Sequence, residues 1–362
     1  ASCSSAGTCP RRRSARVSRA RLRRTDPVSD THGPIPSITD RVKPVATGAP
    51  VIAVHFVKGR AVFVLGEETL LFVAADGGEQ RVPVHNGGIL SAVSDGARIV
   101  TGGDDGTVVT TDAEGKTETL STDVKHRWID GVALGPDGVV AWSAGKQAFV
   151  RSAKGEMKSL ELPSSAGGLA FSPKGLRVAI AHYGGATLWF PNAQATPETF
   201  AWKGSHLDVM FSPDGRFLVT SMQEPTLHGW RLADAKDMRM SGYSAKVRSM
   251  AWTADGKGLA TSGSEQLIIW PFGSKDGPMG KQPRMLAPYQ KRAVAVACHP
   301  KQEIVAVGFE DGLIMLCRIE DGAEILARKP GTAPVSALAW SGDGAKLAFG
   351  TEDGEAGVVD LS

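Results

Sequence analysis

Between Leu207 and Trp230 the chain reads LDVMFSPDGRFLVTSMQEPTLHGW, three short apolar runs (Leu207 to Phe211, Phe217 to Ser221, Thr226 to Trp230) divided by polar corners. The first corner is Ser212-Pro213-Asp214-Gly215, where proline presets φ for a turn and glycine accepts the positive φ that closes it. The second, Met222 to Pro225, is too short and too polar for anything but a tight reversal between antiparallel strands. The pattern predicts a three-strand meander. Such a unit cannot bury both faces alone and gains a core only by stacking on copies of itself.

Copies follow in both directions. FSPKG (Phe171 to Gly175), FSPDG (Phe211 to Gly215), WTADG (Trp252 to Gly256) and WSGDG (Trp340 to Gly344) are clear, while LGPDG (Leu134 to Gly138), VSDG (Val93 to Gly96), FVKG (Phe56 to Gly59) and CHPKQ (Cys298 to Gln302) are weaker. The corner glycines are spaced 37, 42, 37, 40 and 41 residues apart, then 88 across two repeats. One period of about forty residues is the length of a four-stranded propeller blade.

With those repeats the chain from about residue 40 onward resembles the WD40 β-propeller family, whose blades run from an inner strand a through b and c to an outer strand d. The resemblance is carried by Trp189, Trp230 and Trp270 at the ends of strands c, and by acidic b–c corners at Gly103-Asp104-Asp105-Gly106, Glu310-Asp311-Gly312 and Glu352-Asp353-Gly354. The family's Asp after the Trp is replaced by Phe190, Arg231 and Pro271, and its Gly-His pair survives loosely as Gly204-Ser205-His206. These departures weaken the case for the family's buried hydrogen-bond network and leave the blades intact.

The expected fold is an all-β closed propeller of four-stranded antiparallel blades. Eight are favoured over seven, from inner strands at Val51 to Phe56, Ile89 to Val93, Ile129 to Leu134, Gly168 to Phe171, Leu207 to Phe211, Val247 to Trp252, Ala293 to Cys298 and Val335 to Trp340. The last copy has only three strands before Ser362. Arg41 to Val51 resembles Ile325 to Val335, an outer strand leading into an inner one, so an N-terminal strand near 41 to 47 is expected to close the ring and remove both open edges. The division is 1–36, an Arg-rich extension and linker expected to be disordered, and 37–362, the propeller.

Composition adds limits. The chain is 42% hydrophobic with 43 Gly, which suits a reversal every eight to twelve residues, and no apolar run approaches the roughly 20 residues a bilayer-spanning helix needs. Residues 1–24 hold eight Arg and no acid, so the net +3 leaves the remainder at −5. A mildly acidic body speaks against nucleic acid as the propeller's partner. The head is Arg-rich, Ser-rich and acid-poor like a transit peptide; the same composition suits a basic tail or an inert extension. Cys3 and Cys9 fall in that head, and Cys298 and Cys317 on one blade read as small buried hydrophobes, so a reducing compartment and a cytoplasmic location are expected. The sharply punctuated repeats with degenerate Trp-Asp ends fit a bacterial member of the family.

No catalytic, cofactor-binding or metal-ligating set is read. The eight His are scattered one per segment, and GGDDG at Gly102 to Gly106 lacks the Lys-Ser/Thr and helix of a phosphate loop. The resemblance therefore implies a non-catalytic scaffold that binds a protein or peptide through one rim and the central channel, as a monomeric ring or one subunit of a complex. Aromatic, Met and Arg side chains are what interfaces enrich. On the rim shared by the d–a and b–c loops they are Arg127, Trp128, Tyr183, Met222, Tyr243, Tyr289, Lys291 and Arg292; the c–d connection Phe272 to Arg284 on the other rim is a weaker candidate. The competing reading is a propeller enzyme or cofactor binder resembling quinoproteins, using channel-facing Asp208, Arg248 and His55. Asp112-Ala113-Glu114-Gly115-Lys116 matches part of that group's tryptophan-docking motif, but Leu120 stands where its Trp belongs.

Overall fold

A computed structural model describes residues 35–362, so the expectations for the Arg-rich head, Cys3 and Cys9 among them, lie outside the described residues. The described chain is built of antiparallel strands with two single-turn 3-10 segments. Corners form as their residues dictate. At Ser212 to Gly215 the Gly215 N–H donates to Ser212 O (2.8 Å), Gly215 takes φ +73°, and Ser212 Oγ accepts from Phe217 N (2.9 Å) while donating to Asp214 Oδ1 (2.7 Å). Thr253 with Asp255 repeats the arrangement, as does Ser341 with Asp343.

The strands form a β-propeller, an all-β ring of seven hydrogen-bonded sheets among the described residues, six of four strands and one of six. The expectation of eight separate four-stranded blades is corrected here. All the inner strands are present, but the fourth and fifth copies share one sheet from Ala166–Phe171 to Lys236–Ser241. The cause is local: Val178–Trp189 and Glu198–Phe211 continue as ladder through the points where other copies break into loops. Gly184, Gly185 and Gly204 (φ +93°, +143°, +135°) let the backbone double back there without leaving the ladder. His182 Nε2 thus meets Thr187 Oγ1, five residues on, at 2.9 Å.

Closure follows the expected route. Val42–Ala46 pairs antiparallel with Glu355–Asp360, from Val42 opposite Val359 to Ala46 opposite Glu355, and completes the last sheet. The inner strand Val335–Trp340 packs in turn on Val51–Val57, joining last copy to first. Glycines on second strands make room for this packing. A methyl on Gly102 would come within 2.5 Å of Ile129, one on Gly308 within 2.6 Å of Val335, and one on Gly350 would overlap Val51. Upstream of the closing strand, Leu326 N donates to Pro36 O (2.8 Å) and Ile38 N to Leu326 O (2.9 Å).

The core lies between sheets, as separate clusters at successive junctions. Trp189, Trp230 and Trp270 at the strand-c ends are all buried in them. Among the described residues no helix is long and apolar enough to cross a membrane.

Candidate functional site

Inner strands pair with the second strand of their own sheet and pack against neighbouring sheets. At the d–a end most inner strands carry a register shift spanning their second residue, between Val51 and Ala53, Ile89 and Ser91, His206 and Asp208, Ala293 and Ala295, and Val335 and Ala337. A bulge re-aims its side chain. The residues so placed include Ile52, Leu90 and Leu207, each more than a third exposed, and the matching positions in copies three and six carry exposed Asp130 and Arg248. These positions are therefore apolar on copies one, two and five and charged on copies three and six, with Val294 and Ser336 at the matching places in copies seven and eight. Sequence reasoning missed Ile52, Leu90 and Leu207, because strict alternation assigns them to the core; the available signal was an apolar pair opening the strand.

Of the residues expected on this rim, Trp128 and Tyr183 are the exposed aromatics, 60% and 59% accessible. Arg127 beside Trp128 is pinned by Asp123 (Nη2 to Oδ2, 2.6 Å), which raises the guanidinium's pKa. Lys291 is exposed, and Arg292 is held by Glu310, with Nε to Oε1 at 2.8 Å. Tyr289 is half-buried, its hydroxyl donating to Asp311 Oδ2 (2.8 Å); burial first and then the Asp311 charge raise its pKa.

Two expectations are corrected. Met222 is buried under Gly204, and Tyr243 is buried with its hydroxyl 2.9 Å from Thr261 Oγ1 and accepting from Trp270 Nε1 at 2.7 Å. Neither presents a surface in this state. Tyr243 belongs instead to a buried polar network. In the second copy the corresponding group is His85, 3.1 Å from Asp105 Oδ1 and 2.8 Å from Thr101 Oγ1. Burial pushes the Asp105 carboxyl up, but N–H donation from Asn86 and Thr107 outweighs it and brings the pKa to about 2. His206 with Thr220 (2.7 Å) serves the fifth copy. The network thus survives with changed members, which the altered Trp-Asp ends had obscured.

The channel-facing groups do not assemble. Asp208, Arg248 and His55 sit on copies five, six and one, and Arg248 reaches over the mouth to Glu352 (3.4 Å) in copy eight. Surrounding protein raises the carboxyl pKa of Asp208 and Asp130, and burial lowers that of His55 to about 4. Among the described residues no group of three His, Cys, Asp or Glu could hold a metal ion. Cys298 and Cys317 both lie opposite Val305 on its two flanking strands. Two strand spacings, roughly 9–10 Å, exceed disulfide reach, and burial lifts the thiols to about 12 and about 11. On the other rim, the Phe272 to Arg284 connection is tied down: Phe272 is buried edge-on to Phe217, and Arg216 Nη1 donates to Ser274 O at 2.9 Å.

Comparison with known proteins adds a family. The profile described as "Anaphase-promoting complex subunit 4 WD40 domain" matches residues 296–362, and "WD domain, G-beta repeat" matches 79–110. Among similar proteins, WD repeat and HMG-box DNA-binding protein 1 of Xenopus laevis is 26% identical over 159 residues, 43% of this chain and 13% of that protein. WD repeat-containing protein 1-B of Xenopus laevis is 30% identical over 82 residues, 22% and 14% of the two chains. Telomerase protein component 1 of Mus musculus is 26% identical over 200 residues, 53% and 7%. The matches thus span only 7 to 14% of these relatives' lengths. The computationally designed Ika8 protein superposes with a TM-score of 0.72 over 87% of this chain and 97% of its own, and at 18% identity shows likeness of fold alone.

Proposed function

Because the chain belongs to the WD40-repeat family, we propose that it is a non-catalytic scaffold that binds a protein or peptide partner through the d–a and b–c rim and the channel mouth. The observation that carries this reading is the exposure of Trp128 and Tyr183 on the same rim as the outward-turned Ile52, Leu90 and Leu207. Exposed aromatic and aliphatic groups grouped at one concave end are what a partner's side chains bury against. The separation of Asp208, Arg248 and His55 supports binding over chemistry, since a general acid or base must stand within hydrogen-bond reach of its partner group. A cytoplasmic setting belongs to the same proposal and is tested by cell fractionation.

The test is quantitative affinity purification with the intact chain and with Trp128→Ala/Tyr183→Ala. Partners recovered with the first and depleted at least five-fold with the second support the rim; equal recovery removes it. Absorbance or native mass spectrometry revealing a bound quinone or metal would instead favour the cofactor reading.

A further inference from the structure

Where the last copy meets the first, the chain does not fill the junction with its own side chains. On the rim of the a–b and c–d turns, opposite that of Trp128 and Tyr183, a cleft of about 200 Å³ opens between copies eight and one. Its floor is Val45, Phe56, Ala61, Val73 and Val358, all part of that junction's apolar cluster or packed on it. The register of the repeats shows why it stays open. The residue of strand b opposite the end of strand a is Val, Leu or Ile in copies two to eight, Leu259 and Leu347 among them, and Ala61 in copy one. Between copies five and six the same place is packed with Phe217, Met238, Trp270 and Phe272, the two Phe rings edge-on at 5.3 Å. Matched through their strand partners, the positions of these four hold Lys346, Lys43, Val73 and Ala75 between copies eight and one. The Ala75 methyl is too short to reach in as the Phe272 ring does.

We propose that this cleft is a second docking site, apart from the Trp128 and Tyr183 rim, and takes an uncharged aromatic side chain of a partner protein in the place Phe272 holds between copies five and six. Size agrees, since an apolar cavity of about 150 Å³ admits a benzene ring. Charge agrees as well. Lys43, Lys346 and Asp360 stand on the copy-eight lip and Asp76 and Glu79 on the copy-one lip, with Lys43 already 3.7 Å from Asp360. A charged anchor of either sign meets a like charge at the mouth, whereas an uncharged ring meets none and buries against the apolar floor. The ring comes from another molecule. Residues 1–34 hold no Phe, Trp or Tyr, and the exposed aromatics of the described chain, Trp128 and Tyr183, lie on the opposite rim.

The experiment uses the full chain and fluorine NMR titration of a capped pentapeptide, Gly-Ser-X-Ser-Gly, with 4-fluorophenylalanine at X. Versions with Ala, Asp or Lys at X, and free phenylalanine, enter as competitors. The expected result is binding of the aromatic peptide, competitors at least five-fold weaker, and at least five-fold loss in each of Ala61→Leu and Ala75→Phe, which fill the cleft as the other copies do. Thermal midpoints at or above that of wild type show that the filled variants fold. Absence of binding, or equal binding by the filled variants, overturns the site and leaves the other rim untouched. Loss in Trp128→Ala/Tyr183→Ala instead moves the ring to that rim and also overturns it. Displacement by free phenylalanine as strong as self-displacement by the peptide overturns a protein segment as the occupant. Self-association of the chain that Ala61→Leu abolishes, seen by sedimentation, overturns a different protein in favour of a second copy.

Discussion

His228 sets a limit on the acid stability of the ring. Its side chain is fully buried, stacked on Trp202 (centroids 3.9 Å apart, 16° between planes) and edge-on to Trp230 at 4.8 Å. Neither ring nitrogen has a hydrogen-bond partner, and the Asp237 carboxylate stands 3.7 Å from Nε2. Burial lowers its pKa from 6.5 to about 4; Asp237 opposes the shift, and His206 and Arg239 add to it. The unfolded chain therefore takes up this proton near pH 6.5 and the folded chain only near pH 4. The associated stability is complete above 6.5 and is lost as pH falls toward 4, reaching about 2.5 kcal/mol at pH 4.5. His228→Phe keeps the stacked ring and deletes the titration. Urea melts followed by tryptophan fluorescence at pH 7.5, 6, 5 and 4.5 are expected to leave the variant within about 1 kcal/mol of wild type at pH 7.5 and to make it more stable by about 2 kcal/mol at pH 4.5. Parallel pH profiles for the two proteins would refute the reasoning. His55, also at about 4 through burial, contributes in the same window and stays in both.

Tyr243→Phe leaves the buried Trp270 indole N–H without its acceptor and is expected to cost about 1–3 kcal/mol, read as a lowered denaturation midpoint at pH 7. Burial raises the Tyr243 pKa, so wild type loses stability as pH climbs above about 10, where the unfolded phenol ionises, and the variant lacks that component. Gly308→Ala forces a methyl to within 2.6 Å of Val335 and is expected to destabilise by about 1–3 kcal/mol in thermal melts, more than Ala at the open corner position Gly342, where no atom lies within 4 Å. Val45→Asp places a charge in the closing strand, between the first and last copies, and is expected to open the ring, seen as faster amide exchange in Glu355–Asp360.

Much of the ring was legible because its code is local. A Pro-Asp-Gly corner obliges the chain to turn whatever surrounds it, so the forty-residue period, the inner strands and the meander could be read from spacing alone, and likeness between two distant segments pointed to the closing strand Val42–Ala46. The same sequence marked Trp189, Trp230 and Trp270 as the ends of strands c, and the structure buries all three there.

What only the tertiary structure decided is what depends on neighbouring copies. Whether copies four and five separate or share a sheet turns on how far the ladder runs past Gly184 and Gly204. Tyr183 and Tyr243 are the same residue type in loops of the same rim, yet one is 59% exposed and the other is sealed under Thr261 and Trp270. Conversely, Ile52, Leu90 and Leu207 belong to apolar inner strands and yet reach solvent through bulges at the mouth. Burial is a property of the space between sheets; a sequence states which side chains are apolar, and the packing of the ring decides which of them solvent can still reach.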